Sequence, residues 1–231
     1  IFDVASGKPL IEEQRLSLVA GDLAITADSR YVVATGGHSG RTVVFEAATG
    51  RMQGEAGSAP PRYLEPRRTA AVASGVGGTL FVGAEDGVVR ALDAATLAEL
   101  WRTSGAPELT TNYNVAVTPD GSALVTNGPA GVVRWNLQTR THAWIANVPG
   151  ELCRSLLVLH TRSAVLCGGD NGRVSGLDLA SGEPVGRGFP ALAGTVAVLV
   201  GTPAETMVAA FSRSNGLGVA VRMERHALLT R

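Results

Sequence analysis

Short apolar runs alternate with turn residues along the whole chain, and the same arrangement returns several times. Each unit has an apolar run, a turn, a second apolar run, a Gly/Asp/Asn turn, a β-branched run and a polar closing stretch. Apolar runs of four to six residues between turn residues predict β-strands. Asp-Gly and Asn-Gly pairs supply the positive φ angles of tight hairpin turns. They are Asp86-Gly87, Asp120-Gly121, Asn171-Gly172 and Asn215-Gly216. Because no stretch shows a helical period, the pattern predicts an all-β chain.

A large apolar residue in the third strand of each unit sets the period of the repeat. These anchor residues are Phe2, Phe45, Leu92, Trp135, Leu177 and Val221. Successive anchors lie 43, 47, 43, 42 and 44 residues apart, whereas helical ankyrin and tetratricopeptide repeats have periods of about 33 or 34 residues. Four strands in each such period are typical of a propeller blade, and blades repeated around an axis bury a shared core.

The fold predicted for the chain is therefore a β-propeller of four-stranded antiparallel blades in a single domain, residues 1–231. Five complete blades are predicted at residues 16–54, 69–103, 113–146, 154–188 and 195–231. Residues 1–14 hold the last two strands of a half blade, and residues 55–68 form an irregular insert between blades. Because the half blade lacks its first two strands, we expect the chain to be a fragment of a ring of about six to eight blades.

Two segments carry a family resemblance. NVAVTPDGSALVTNGPAGVVRWNLQTRT and CGGDNGRVSGLDLASGEPVG resemble the blades of WD-repeat propellers, in particular the divergent bacterial kind, and the resemblance extends over essentially the whole chain. Where that family has Trp-Asp, this chain has Phe-Asp, Phe-Glu, Leu-Asp, Trp-Asn, Leu-Asp and Val-Arg. The Gly-His pair before the first strand is also absent. We therefore expect apolar stacking to hold the blades, in place of the family's hydrogen-bonded tetrad of His, Ser/Thr, Asp and Trp.

A third segment, LFVGAEDGVVRALDAATLAELW, is similar to the repeat of quinoprotein-type propellers, whose blades end in a docking Trp. Trp101 and Trp144 each follow their anchor by nine residues, which predicts a repeated structural role in two neighbouring blades. The other units have Ile11, Gly54, Gly186 and Thr230 at this position. The resemblance implies an alternative function, a quinoprotein-like or lactonase-like propeller that binds a cofactor or Ca²⁺. Asp86 and Asp170 are its candidate ligands, although such aspartates more often cap their own turns.

Composition narrows the classes of protein further. Among 231 residues, 20 are Lys or Arg and 20 are Asp or Glu, and 45% are hydrophobic, so the chain is neither disordered nor basic. We predict no nucleic-acid partner and no membrane partner, since no apolar run approaches the roughly 18–20 residues that span a bilayer. Without a visible secretion signal, we expect a cytoplasmic location. Cys153 and Cys167 are interpreted as small buried hydrophobic side chains and not as a disulfide framework.

The sequence shows no catalytic or metal-binding spacing. The four histidines are scattered, and the segment GGHSGR has Arg41 where a nucleophile elbow requires glycine. We therefore predict no catalytic residue, no metal and no cofactor. The remaining hypothesis is a non-enzymatic module that binds a protein partner, as a scaffold or as a regulatory part of a larger polypeptide.

Candidate contact residues come from the insert and from the family resemblance. The insert GEAGSAPPRYLEPRR is rich in Arg and Tyr, which anchor protein interfaces; its alternative interpretation is a solvated linker. The WD-repeat resemblance implies a binding face made by the loops that lead into each blade and by the turns between second and third strands. From the leading loops it implies Arg62, Tyr63, Arg67, Arg68, Asn112 and Tyr113. From the turns it implies His38, Asp86, Asn127 and Asp170.

Overall fold

The described strands form antiparallel β-sheets, and within each sheet the strands that are neighbours in sequence pair with one another. The computed structural model describes residues 5–9, 20–36, 41–56, 69–84, 86–103, 114–118, 120–148, 151–201, 205, 207–212 and 218–222. These sheets confirm the predicted propeller blades. Most of the predicted half blade and residues 57–68 of the predicted insert lie outside the described residues. Within the described part of the chain, no helix has the length and apolar character needed to cross a membrane.

The strands form five consecutive blades, each named here by its order in the chain. Blade 1 consists of β1 (Ala20–Ile25), β2 (Tyr31–Gly36), β3 (Thr42–Glu46) and β4 (Met52–Ala56). Blade 2 consists of β5 (Thr69–Ser74), β6 (Thr79–Ala84), β7 (Val89–Asp93) and β8 (Glu99–Arg102), with a 3₁₀ turn at Val76–Gly78. Blade 3 consists of β9 (Asn114–Val117), β10 (Ala123–Gly128), β11 (Gly131–Asn136) and β12 (Thr141–Ala146). Blade 4 consists of β13 (Cys153–Leu159), β14 (Ala164–Gly169), β15 (Arg173–Asp178) and β16 (Pro184–Pro190). The described strands of blade 5 are β17 (Val198–Gly201), β18 (Met207–Phe211) and β19 (Gly218–Arg222).

Each blade has two faces because successive side chains of a strand point to opposite sides of the sheet. One face packs against the blade that comes earlier in the chain and is called the preceding face; the other is the following face. In blade 3, for example, Val115 and Trp135 pack toward blade 2, whereas Ala116 and Val132 pack toward blade 4. Alternate residues of a first strand therefore pack against two different blades, the preceding one and the following one.

The hydrophobic core is divided into one cluster for each junction between blades. The clusters at the junctions of blades 1 and 2, 2 and 3, 3 and 4, and 4 and 5 centre on Leu80, Leu124, Val165 and Leu166, respectively. All four of these side chains are almost completely buried. Apolar stacking between sheets, as expected from the sequence, is thus a main source of stability, since burial of one such side chain contributes about 1.5–3 kcal/mol.

The two cysteines form a disulfide, so their interpretation as unbonded hydrophobic residues was wrong. Cys153 begins β13 and Cys167 lies in the neighbouring strand β14, with their Cα atoms 5.5 Å apart. A bulge between Cys153 and Ser155 shifts the register of the two strands. Both residues are buried among apolar side chains at the junction of blades 3 and 4, as predicted. The pairing depends on the strand register, which a spacing of 14 residues in sequence does not reveal.

Candidate functional site

The predicted binding face lies at one edge of the blades, which we call the start edge. The first strand of each blade begins at this edge. The turn between the second and third strands lies at the same edge. Of the predicted contact residues, the structure describes three: Asp86, Asn127 and Asp170. The other seven lie outside the described residues, and they are His38, Arg62, Tyr63, Arg67, Arg68, Asn112 and Tyr113. The described three do not form a joint cluster; each holds its own turn or blade in place.

Asp86 caps the turn between β6 and β7. Its Oδ1 accepts a hydrogen bond from the backbone N–H of Val88 at 3.0 Å. Its Oδ2 forms an ion pair with Nη2 of Arg90 at 2.7 Å, and both side chains are partly buried. Gly87 completes the turn with φ of 72°, a conformation that glycine adopts without steric cost. The interpretation of Asp86 as a turn-capping residue is confirmed.

Asn127 is a buried link between blades 3 and 4. Only 1% of its surface is exposed, so it is not a surface contact in this structure. Its Nδ2 donates to the carbonyl oxygen of Cys153 at 2.9 Å. Asn114 lies opposite Asn127 in the register of β9 and β10, and its Nδ2 donates to the carbonyl oxygen of Arg154 at 2.8 Å. Together the two amides attach blade 3 to the beginning of β13.

Asp170 ties the turn between β14 and β15 to the segment that leads into the same blade. Its Oδ1 accepts the N–H of Leu152 at 3.1 Å, and its own N–H donates to the Leu152 carbonyl at 3.1 Å. The turn itself is capped by the neighbouring Asn171, which accepts the N–H of Arg173 at 3.0 Å. Asp170 remains exposed, so it is available to a partner while its backbone is held in place.

A polar side chain at the start of the first strand recurs as a link to the next blade. In blade 1, Oδ2 of Asp22 accepts the N–H of Val72 at 3.1 Å. In blade 4, the hydroxyl of Ser155 donates to the Val196 carbonyl at 2.9 Å. Asp22 and Ser155 occupy the strand position that Asn114 occupies in blade 3. Sequence reasoning missed this device, although a polar residue directly before the apolar run in three of the blades was its visible signal.

The two predicted docking tryptophans contact the next blade, which confirms their structural role. Nε1 of Trp144 donates to the Leu179 carbonyl in the turn between β15 and β16 at 3.2 Å. The ring lies against Gly182 in that turn, where a Cβ would come within 2.8 Å of it. Trp101 meets the equivalent turn of blade 3, with the Arg140 guanidinium 5.3 Å from its ring centre. Gly182 thus leaves room for the Trp144 ring, and Arg140 places a cation over the Trp101 ring.

Blade 3 also contains one hydrogen bond of the kind found in the WD-repeat tetrad. Nε1 of Trp135, in the third strand, donates to the hydroxyl of Thr126, in the second strand, at 3.1 Å. Both side chains are fully buried. His142 lies edge-on to the Trp135 ring, with ring centres 6.2 Å apart. Because a buried indole N–H without a partner would be unfavourable, Thr126 allows a tryptophan to serve as the anchor.

The opposite edge, where first strands end, is built from self-contained polar turns. Thr118 and Ser122 donate hydrogen bonds to the Asp120 carboxylate, and these bonds lower the pKa of Asp120 to about 2. The hydroxyl of Thr26 acts in the same way on Asp28, whose pKa is also lowered. The donors stabilise the charged form of each carboxylate, so these aspartates are structural groups.

Glu205 fastens blades 4 and 5 at this same edge. The residue is 5% exposed, and its carboxylate accepts hydrogen bonds from the N–H groups of His160 and Thr161 and from the Thr161 hydroxyl. His160 and Thr161 lie in the turn between β13 and β14, whereas Glu205 follows β17. A buried carboxylate with several donors is well accommodated, so Glu205 clamps two consecutive blades.

Comparison with known families supports this architecture. A protein-family model described as outer membrane protein assembly factor BamB matches the chain over residues 40–188 and 85–223. The two matches together span most of the chain. The chain belongs to this propeller-repeat family. The family model is of the quinoprotein type, so it establishes the propeller repeat in general and does not distinguish WD repeats within it. No curated protein matches the chain.

The quinoprotein type of the matched family directs attention to a Ca²⁺ site, for which the described residues offer no ligand group. No group of three or more His, Cys, Asp or Glu side chains within the described ranges is arranged to hold a metal ion. Asp86 and Asp170, the candidate ligands, lie in different blades and bind Arg90 and Leu152, respectively. The start edge, as far as the structure describes it, consists of turns fixed to a rigid framework.

Proposed function

We propose that the chain is a non-enzymatic propeller module that binds a protein partner through the loops at its start edge. The observation that carries the proposal is the series of polar links at that edge. Asp22, Asn114, Asn127 and Ser155 each bind the backbone of the following blade. The loops therefore leave from a fixed base, and a pre-organised surface loses less conformational entropy when a partner binds.

Two further points support a protein partner. The WD-repeat resemblance implies that the binding face is formed by the leading loops and by the turns between second and third strands, and the links lie at this same edge of the blades. The matched family is described as an assembly factor for outer membrane proteins, and such a role requires contact with other proteins. In this proposal, the Arg- and Tyr-rich insert of residues 55–68 supplies the main contacts.

The test is partner capture by immobilised protein. Arg62, Tyr63, Arg67 and Arg68 are replaced together by alanine. A matched control replaces Arg30 and His160, which are exposed at the opposite edge. Proteins recovered from a lysate of the source cells are identified by mass spectrometry. We expect the control to retain a partner that the insert variant loses. Equal recovery by both variants would refute the role of the insert, and no enrichment by the wild-type protein would contradict the proposed function.

The second candidate function, a quinoprotein-like propeller that binds a cofactor, is favoured by the type of the matched family model. A thermal-shift titration with Ca²⁺ and with pyrroloquinoline quinone separates the two functions. A ligand that binds only the native state must raise the midpoint of unfolding. The protein-binding proposal predicts an unchanged midpoint, and a rise that saturates with ligand would favour the second candidate.

The disulfide bears on where such a module works. Structural disulfides persist mainly in oxidising compartments, and reducing systems keep cytosolic thiols free. The bond between Cys153 and Cys167 therefore favours an oxidising compartment over the cytoplasm expected from the sequence. Alkylation of the native protein in denaturant, before and after reduction, tests this location. Thiols that react before reduction would favour the cytoplasm.

A further inference from the structure

Two Asn-Gly pairs of the same sequence occupy very different places in the fold. Asn127-Gly128 ends the buried strand β10, and only 1% of the Asn127 surface is exposed. Asn171-Gly172 lies in the turn between β14 and β15, where Asn171 is exposed. Asparagine is a thermally labile residue, and a glycine after it leaves the backbone nitrogen unshielded by a Cβ. The two pairs therefore share one reactive sequence but differ in their access to solvent.

The hydrogen bonds of the two asparagines also differ. Oδ1 of Asn171 accepts the N–H of Arg173 at 3.0 Å, which keeps the side-chain amide close to the backbone of the intervening Gly172. Nδ2 of Asn127 instead donates to the Cys153 carbonyl in the next blade at 2.9 Å. That bond draws the Asn127 amide away from its own backbone and must break before the amide nitrogen can leave. The fold thus exposes one amide to its neighbouring backbone nitrogen and secures the other.

We propose that Asn171 is a site of spontaneous deamidation, whereas the fold protects Asn127 from the same reaction. The Gly172 nitrogen forms a bond with Cγ of Asn171, the bond from Cγ to Nδ2 breaks, and Nδ2 leaves as ammonia with the proton of the Gly172 N–H. Water then opens the cyclic imide at one of its two carbonyl carbons. One product is aspartate, and the other is isoaspartate, in which the main chain runs through the former side chain. Water is the co-reactant, and the inference does not depend on the proposed partner-binding function.

The new carboxylate arises beside a carboxylate oxygen that is already poorly accommodated. A Cβ built on Gly169 would touch both Oε2 of Glu151 and Oδ1 of Asn171, so these two oxygens are close neighbours. Oε2 of Glu151 is buried and has no hydrogen-bond partner within the described part of the chain. Because two adjacent carboxylates repel each other, deamidation should push the new side chain out of the turn.

The same turn holds the segment that leads into blade 5. The Gly172 carbonyl accepts the N–H groups of Ala191 at 2.8 Å and of Leu192 at 3.0 Å. A Cβ on Gly172 would collide with the Leu192 carbonyl, so the contact is tight. The longer main chain of isoaspartate would displace the Gly172 carbonyl from these donors. We therefore expect deamidation to loosen the attachment of this segment to blade 4.

Peptide mapping by mass spectrometry tests the deamidation in the full, folded chain. The protein is incubated in warm, mildly alkaline buffer, and the peptides that contain Asn127 and Asn171 are followed over time. We expect Asn171 to become a mixture of aspartate and isoaspartate while Asn127 remains an amide. In denaturant both residues should convert at similar rates, because each precedes a glycine. A stable Asn171 in the folded protein, or equal conversion of the two residues there, would overturn the proposal.

Hydrogen exchange of the converted protein tests the loosening of the segment. The matched control is Asn171→Ser, whose hydroxyl can accept the N–H of Arg173 but cannot form an imide. After incubation, Ala191 and Leu192 should exchange faster in the wild-type protein than before, and their exchange in the control should stay the same. Unchanged exchange of these two residues in fully converted protein, or an equal rise in the control, would overturn the predicted loosening.

Discussion

The junction of blades 3 and 4 and the following face of blade 5 are built from the same strand positions but differ in how deeply their side chains are buried and in what links them to a neighbour. At the junction, Val125 and Val165 are fully buried, Asn127 links the two sheets and a disulfide lies beside them. On the following face of blade 5, Val198 and Val200 are about half exposed. The difference teaches that an alternating apolar strand specifies a blade, whereas burial of each of its faces depends on a neighbour.

The largest expected contrast between these regions is the cost of removing an apolar side chain. Leu166 is 1% exposed on the following face of blade 4, whereas Phe211 lies on the following face of blade 5. Leu166→Ala should lower the free energy of unfolding by about 2–5 kcal/mol, because it leaves a cavity between two sheets. Phe211→Ala should cost about 1 kcal/mol or less in the monomer. Urea unfolding at low protein concentration measures both losses of unfolding free energy. Equal losses would contradict the distinction between a buried junction and the exposed following face of blade 5.

The disulfide adds a second difference between the two regions, because it lies at the junction of blades 3 and 4 and not in blade 5. Replacement of Cys153 and Cys167 together by alanine should lower the free energy of unfolding by about 3 kcal/mol, the loop-closure value for a loop of about 15 residues. The measurement is chemical unfolding of this variant beside wild-type protein, each with and without a reductant. Reduction should destabilise the wild type and leave the variant unchanged. A wild type that is insensitive to reductant would show that the bond does not form in solution.

The polar links should have an intermediate effect. Ser155→Ala removes the donor to the Val196 carbonyl and leaves that buried acceptor without its partner, which costs about 1–3 kcal/mol. The matched control is Ser163→Ala, at an exposed serine in a turn of the same blade. Thermal unfolding should show a clear loss for the first variant and a negligible change for the second. If the two variants behave alike, the links contribute nothing measurable to holding consecutive blades together.

The smallest expected effect on stability concerns Asp120, in the turn between β9 and β10, which lies outside both compared regions. The pKa of Asp120 is lowered from 3.8 to about 2, so its charged form stabilises the folded state above pH 3.8. That contribution is lost as the pH falls from about 4 through about 2. Asp120→Asn should therefore lower the unfolding midpoint modestly at pH 7, and the difference from wild type should shrink below pH 4. A difference that does not depend on pH would contradict this assignment.

Much of the fold could be predicted because it depends on local signals. The anchors Phe45, Leu92 and Trp135 lie in third strands as expected, since the turn residues around them fix where strands begin and end. Trp101 and Trp144 were also predictable from their equal spacing after the anchors. These features repeat with the period of the chain, and a period can be read without knowledge of contacts.

The links between blades could not be predicted in the same way. Asp22 and Ser155 precede apolar runs, where a polar residue is usually solvated, and their partners are 50 and 41 residues away. The disulfide depends on a bulge in β13, and the burial of Asn127 depends on the position of the next blade. The links and the burial of Asn127 arise from contact between sheets, and the disulfide arises from the irregular register of two strands within one sheet; the apolar pattern of the sequence describes neither.

Hydrogen exchange followed by mass spectrometry tests the central claim most directly, because it compares the first strands of all blades in one experiment. At low protein concentration, the account predicts slow exchange in β9 and β13, which are covered on both faces, and faster exchange in β1 and β17. Equal protection of all four strands at low concentration would contradict the claim that neighbouring blades decide which faces are core.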